Sequence, residues 1–171
     1  GLFDKIDSVY QNRDGLNSEQ KRLTERIYMD FTRAGAALPA EQQHELADIR
    51  AKLASLTTTF TQNVLKDEEE PYFAYTLEDL DGCPDSLIAA AKSAAEERGQ
   101  GGYLITLSRS LVEPFLTSAN RRDLRQQAWK AWTKRGELNA DRDNRDIAVQ
   151  ILQLRKQIAQ IHGYESFAHF Q

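Results

Sequence analysis

His44 and Glu45 open the stretch of this sequence that comes nearest to a water-activating metal motif. Such a motif sets two histidines one helical turn apart, with a glutamate beside the first to activate the bound water. Here His44-Glu45-Leu46-Ala47-Asp48 has aspartate where the second histidine belongs. At about 100° per residue, Leu46, Ile49 and Leu53 centre the buried stripe of this helix roughly opposite His44. His44 and Asp48 are therefore expected on a solvated face, holding no metal.

The other reactive side chains fare no better. His162 sits near a helix C-terminus, where an imidazole complements the carbonyl dipole, and a glycine separates it from His169. A cap at His162 fits better than a metal pair. Ser108-Arg109-Ser110 follows a strand but lacks the Gly-x-Ser-x-Gly elbow and a nearby histidine, so these residues are expected to cap the next helix. Gly99-Gln100-Gly101-Gly102 precedes a strand, the reverse of the loop-to-helix order that cradles phosphate. Arg121, Arg122, Trp129, Lys130, Trp132, Lys134 and Arg135 mix basic and aromatic residues as nucleic-acid binders do. A helix that buries its tryptophans, with its arginines solvated or paired to acidic neighbours, explains them better. No residue of the chain is assigned to catalysis, cofactor binding or metal.

Composition points the same way. A chain of 171 residues fits one domain with a real core. With a net charge of -4, neither nucleic acid nor an anionic membrane is an expected partner. Cys83 is alone, which excludes an intrachain disulfide and is compatible with a reducing, cytoplasmic setting. No apolar run approaches the roughly 20 residues a membrane span needs. Met29 is the only methionine, and Tyr164 to Phe170 has a helical look up to the last residue but one. The expectation is an excised piece of a longer protein.

The elements that must position these residues are mostly helical. Leu2, Ile6, Val9 and Tyr10 make one stripe, ending near Asp14-Gly15. Asn17 or Ser18 caps a second helix with an apolar line of Leu23, Ile27, Phe31 and Ala34, closed by Gly35. Pro39 starts a third, over 40–66, with a heptad-like seam of Leu46, Ile49, Leu53, Leu56 and Phe60 suited to an antiparallel neighbour. The acidic run Asp67 to Glu70, followed by Pro71, is expected to fray its end.

Residues 72–77 and 103–107 read as short strands that pair with each other, in an orientation the sequence leaves open. An alanine-rich helix from about Ser86 to Arg98 lies between them. Helices then return: Leu111 to Ala119, with Pro114 near its start; one capped by Asn120, burying Leu124, Ala128, Ala131 and Trp132; a polar loop over 137–143; and one carrying Ile147, Ile151, Leu154, Ile158 and Ile161. The fold class is mainly α, a bundle-like antiparallel segment with one small two-stranded β element near 72–107.

Several segments, in order, resemble the region upstream of the catalytic domain in the thimet oligopeptidase and peptidyl-dipeptidase family. They are Asp30-Phe31-Thr32-Arg33-Ala34-Gly35-Ala36, Phe60-Thr61-Gln62-Asn63-Val64-Leu65 and Leu107-Ser108-Arg109-Ser110-Leu111-Val112-Glu113-Pro114-Phe115-Leu116. Arg122-Asp123-Leu124-Arg125, the stretch from Trp129 to Gly136, Asp143-Asn144, Leu154-Arg155 and His162-Gly163-Tyr164 continue the set. The wording of 107–116 is most similar to the peptidyl-dipeptidase branch. Ile161-His162 departs from the two leucines usual in the family.

The resemblance implies a zinc-dependent peptidase acting on short peptides, with a His-Glu-x-x-His helix and its later glutamate downstream of this segment. It implies that residues 1–171 form part of the wall of one helical lobe, with the remainder of the parent peptidase as partner. Removal of C-terminal dipeptides is the expected activity of the parent, with endo-acting cleavage as its alternative. An independent helical interaction module and a small nucleic-acid binder are the competing readings from other classes.

Overall fold

Asn17 begins the first long helix by a reciprocal exchange. Its side chain accepts the Gln20 backbone N–H at 2.9 Å, and the Gln20 side chain accepts the Asn17 N–H at 3.1 Å. In the computed structural model, which describes residues 1–70 and 72–171, this helix is α2, Ser18–Ala34. Gly35 closes it in the left-handed region at φ 100°, where a Cβ would lie 2.6 Å from Leu46 Cδ2. The expected helix stop at Pro71 lies outside the described residues.

The chain divides into two units, residues 1–56 with 150–171, and residues 57–149. In the first, α1 (Leu2–Gln11) runs antiparallel to α2. The two meet through aromatic rings: Tyr10 stacks on Tyr28 with centroids 3.9 Å apart, and Phe3 reaches Tyr28 and Phe31 at 5.9 and 6.5 Å. Its core gathers Leu46 and Ile49 from α3 (Ala40–Glu69), Ile158 and Ala159 from α7 (Arg145–Ile161), and Phe170 from the one-turn α8 (Phe167–Phe170). The seam on α3 thus buries against α7 as its spacing predicts, with Leu53 and Leu154 half-buried beside it.

The second unit holds the β element. β1 (Tyr72–Tyr75) and β2 (Tyr103–Thr106) pair antiparallel, Phe73 opposite Ile105 and Tyr75 opposite Tyr103. Consecutive Leu104 and Ile105 are both fully buried, so both faces of β2 are covered there. The helices of this unit are α4 (Asp85–Glu97), α5 (Arg109–Ser118) and α6 (Arg122–Thr133). Fully buried Ala91 and Ala95 on α4, Val112 and Phe115 on α5 and Ala128 on α6 complete the core. Small side chains let α4 sit close to the strand pair.

Four local expectations change. α3 continues to Glu69 through the acidic run, because tertiary partners hold those carboxylates. α5 starts at Arg109, which makes Pro114 its sixth residue and leaves the Ser110 carbonyl without its helical donor. Arg121, not Asn120, is the N-cap of α6; Asn120 instead donates to Asp81 from both its backbone N–H (2.8 Å) and its side-chain amide (2.9 Å). The loop over 137–143 contains a 3-10 turn, Ala140–Arg142.

Candidate functional site

The residues singled out for chemistry make contacts that point to structural work. His44 is exposed, and its Nδ1 sits 2.7 Å from the Ala40 carbonyl; Asp48, one turn on, is exposed as well. His162 Nδ1 meets the Ile158 carbonyl at 2.9 Å, the cap its position suggests, and its ring tilts against Phe170 at 4.7 Å. His169 lies within the last turn, its Nδ1 3.0 Å from Ser166 Oγ. Among the described residues, no three His, Cys, Asp or Glu side chains gather as a metal site. Among the described residues, the side chains do not assemble the donor set that a zinc ion needs.

Ser108 takes the N-cap position of α5 with extended backbone, but its hydroxyl turns sideways to Thr106 (2.9 Å) and Ser110 (3.2 Å) and leaves the helix N–H groups alone. The unit that holds this hydroxyl row, residues 57–149, contains no histidine in its sequence. Cys83 is half-buried, and burial raises its thiol pKa against a partly offsetting hydrogen bond with Ser118. The thiolate that nucleophilic chemistry needs is thereby disfavoured. Gly102 packs where a Cβ would stand 3.2 Å from the Tyr75 carbonyl, so the glycine loop serves the strand pair. Of the two tryptophans expected in the core, Trp132 is half-buried beneath Arg135, while Trp129 is 53% exposed.

The most constrained polar cluster is one the sequence reading missed. Asp67, on the last turn of α3, is 0% exposed. Its Oδ2 accepts the Gly136 N–H at 2.8 Å, and Arg142 Nε stands 3.3 Å from its Oδ1. Glu70 reaches the same arginine at 3.5 Å, and Glu68 pairs with Arg135. One turn earlier, Asn144 donates to the Phe60 carbonyl at 3.0 Å and accepts from Asn63 at 2.9 Å. These bonds fasten the α6–α7 connection along α3 and so fix where α7 begins. The cluster positions helices; every carboxylate in it that is buried is occupied by a cation or an amide.

Two aspartates, Asp123 exposed and Asp143 half-buried, carry a second, simpler effect. A hydrogen bond from Arg121 holds the Asp123 carboxyl down to about 2, and one from Arg145 does the same for Asp143. Burial, with Asp79 and Asp123 nearby, pushes the Tyr75 phenol well above its ordinary value. A concavity of about 800 Å³ runs along α2 beside Arg22, Arg26, Met29 and Arg33. It holds acidic residues in equal number to the arginines and no catalytic pairing.

The family model described as Peptidase family M3 matches residues 115–171. Oligopeptidase A of Salmonella typhimurium strain LT2 is 35% identical over 180 aligned positions, covering 99% of this chain and 26% of the relative. The chain belongs to peptidase family M3. Dipeptidyl carboxypeptidase of Escherichia coli K12 is 32% identical over 171 positions, covering 98% of the chain and 25% of the relative. Saccharolysin of Saccharomyces cerevisiae is 24% identical over 164 positions, covering 95% and 22%. The chain thus spans about a quarter of the length of the M3 relatives it matches. No helix among the described residues is long and apolar enough to cross a membrane.

Proposed function

We propose that residues 1–171 are a non-catalytic helical segment of a larger, zinc-dependent, cytoplasmic M3 peptidase that acts on short peptides. The observation that carries this reading is alignment of nearly the whole chain with about a quarter of two differently named peptidases. The helices bring rigid apolar packing and a buried polar clamp, which suit a wall and supply no water-activating group. In this reading zinc is held by residues outside this chain, and the remainder of the parent is its partner.

Removal of C-terminal dipeptides is the finer reading, supported by the 107–116 wording and by the relative named dipeptidyl carboxypeptidase at 32% identity. The endo-acting alternative is supported by the relative named oligopeptidase A at 35%. Incubating the full-length enzyme with a short peptide and its C-terminally amidated twin separates them. Loss of a dipeptide from the free acid alone is expected for the first reading, and internal cleavage of both peptides at similar rates for the second. A full-length protein that retains no stoichiometric zinc and cleaves neither peptide would refute the proposal as a whole.

A further inference from the structure

Neither α1 nor α2 contains a buried residue, although each carries a regular apolar stripe. Their aromatic rings meet each other. Leu2 is 65% exposed, Val9 50%, Leu23 57% and Ile27 38%, while Ile6 is half-buried. At about 100° per residue, Leu2, Ile6 and Val9 fall within about 60° of one another on α1, about 90° round from Phe3 and Tyr10. On α2 the centre of Leu23 and Ile27 lies about 90° round from the centre of Tyr28 and Phe31 in the same rotational sense, with Ile27 at the near edge, about 40° from Phe31. Because the two helices run antiparallel, equal offsets in the same sense bring both aliphatic stripes to one side of the hairpin. The result is one open face of five aliphatic residues.

We propose that this face is the docking surface for an amphipathic helix supplied by the part of the same polypeptide outside residues 1–171. The inference rests on the reading above, that the chain is a segment of a larger peptidase. The occupant follows from length: the M3 relatives extend about four times as far as this chain, so most of the parent lies outside the structure. Its chemistry follows from the surface. Two parallel aliphatic stripes leave a groove between helices that an apolar ridge fills, and the charged residues on neighbouring wheel positions, Lys5 on α1 with Arg26 and Asp30 on α2, form a polar rim. Glu25 is taken by Arg13 and Arg22, and Arg26 pairs with no acidic group among the described residues, so a carboxylate beside the ridge of the incoming helix completes the fit.

The test uses the full-length protein with the photoreactive residue benzoylphenylalanine placed at Leu23, and separately at Val9. Irradiation is expected to give a cross-linked species of monomer mass, joined to a peptide outside residues 1–171. Cross-links between two copies, links confined to residues 1–171, or no link at all would each overturn the proposal. Leu23→Glu in the full-length protein is expected to speed hydrogen exchange of α2 amides by about tenfold or more, since a carboxylate would replace a buried aliphatic contact. Unchanged exchange would overturn it too, and the cross-link readout stands if that variant fails to fold. An active, zinc-loaded parent without the link refutes this inference alone; the link in a metal-free, inactive parent refutes only the function proposed above.

Discussion

Arg142 and Asp67, 75 residues apart in the sequence, form an ion pair with Nε 3.3 Å from Oδ1, and the carboxylate is fully buried. Gly136 supplies a backbone N–H to the other oxygen, so an acidic helix end that should repel its own carbonyl dipole becomes an anchor. Removing the carboxylate leaves the Gly136 N–H unbonded and Arg142, 20% exposed, with Glu70 alone. Asp67→Ala is expected to cost about 1–3 kcal/mol in urea melts. A double-mutant cycle with Arg142→Met should show coupling above about 1 kcal/mol. Additive effects would mean that the pair contributes no specific energy.

Leu46 and His44 lie two residues apart on α3 and face opposite ways. Leu46 is 2% exposed and touches the Ile158–Phe170 core, whereas His44 is solvated. Leu46→Ala is expected to cost about 2–5 kcal/mol through the cavity it leaves. His44→Ala should change stability by less than about 0.5 kcal/mol, as surface substitutions do. Comparable losses in thermal melts would contradict the orientation of the helix.

Asp123 and Asp143 should titrate low. Both have folded-state pKa values depressed to about 2 by arginine hydrogen bonds. A depressed carboxyl stabilises the fold above its unfolded pKa of about 3.9, and that contribution is lost as pH falls through the folded value. The window is therefore about pH 4 down to about pH 2. Carboxyl-carbon NMR titrations should give midpoints below those of the exposed aspartates without an arginine partner, and molar salt should move them upward, more at exposed Asp123 than at half-buried Asp143. Midpoints near 3.9 at low salt would dispose of the arginine pairing.

How far the sequence reached depended on the range of the interaction. The Asn17 and Gly35 caps, the seam on α3 and the pairing of β1 with β2 are set by neighbours or by simple periodicity, and those features were legible. The Asp67 clamp was not, because its partners lie some 70 residues away and local rules favour fraying. Periodicity put Trp132 on the inward face of α6 with Leu124, Ala128 and Ala131, where it lies half-buried; the further expectation that both tryptophans are buried fails at Trp129, which is 53% exposed. The stripes of α1 and α2 misled in a different way. Leu23, Ile27 and Phe31 read as one core-facing line, yet the ring of Phe31 turns to Phe3 while the aliphatic pair stays open. For the candidate site the informative position was Asp48, whose identity alone breaks the histidine pair.

Gly82 and Gly99 offer a paired test of backbone strain against crowding. Both have positive φ, 84° and 65°, and both belong to turns of the second unit. A side chain at either position carries the left-handed penalty, about 1–2 kcal/mol. Their surroundings differ. A Cβ at Gly99 meets nothing within 4 Å, whereas at Gly82 it would lie 2.6 Å from the Ser118 backbone oxygen and 2.8 Å from Asn120 Cγ. That oxygen belongs to the last residue of α5, and Asn120 is fixed by two hydrogen bonds to Asp81, so neither can step aside cheaply. Gly99→Ala should therefore cost only the strain, about 1 kcal/mol in chemical denaturation. Gly82→Ala should cost at least about 2 kcal/mol more, because overpacking adds its own displacement of backbone. The exchange protection of the Asn120 N–H gives a second, local readout. It should fall in Gly82→Ala and stay unchanged in Gly99→Ala; equal costs with unchanged protection would show that the loop around Asp81 yields without resistance.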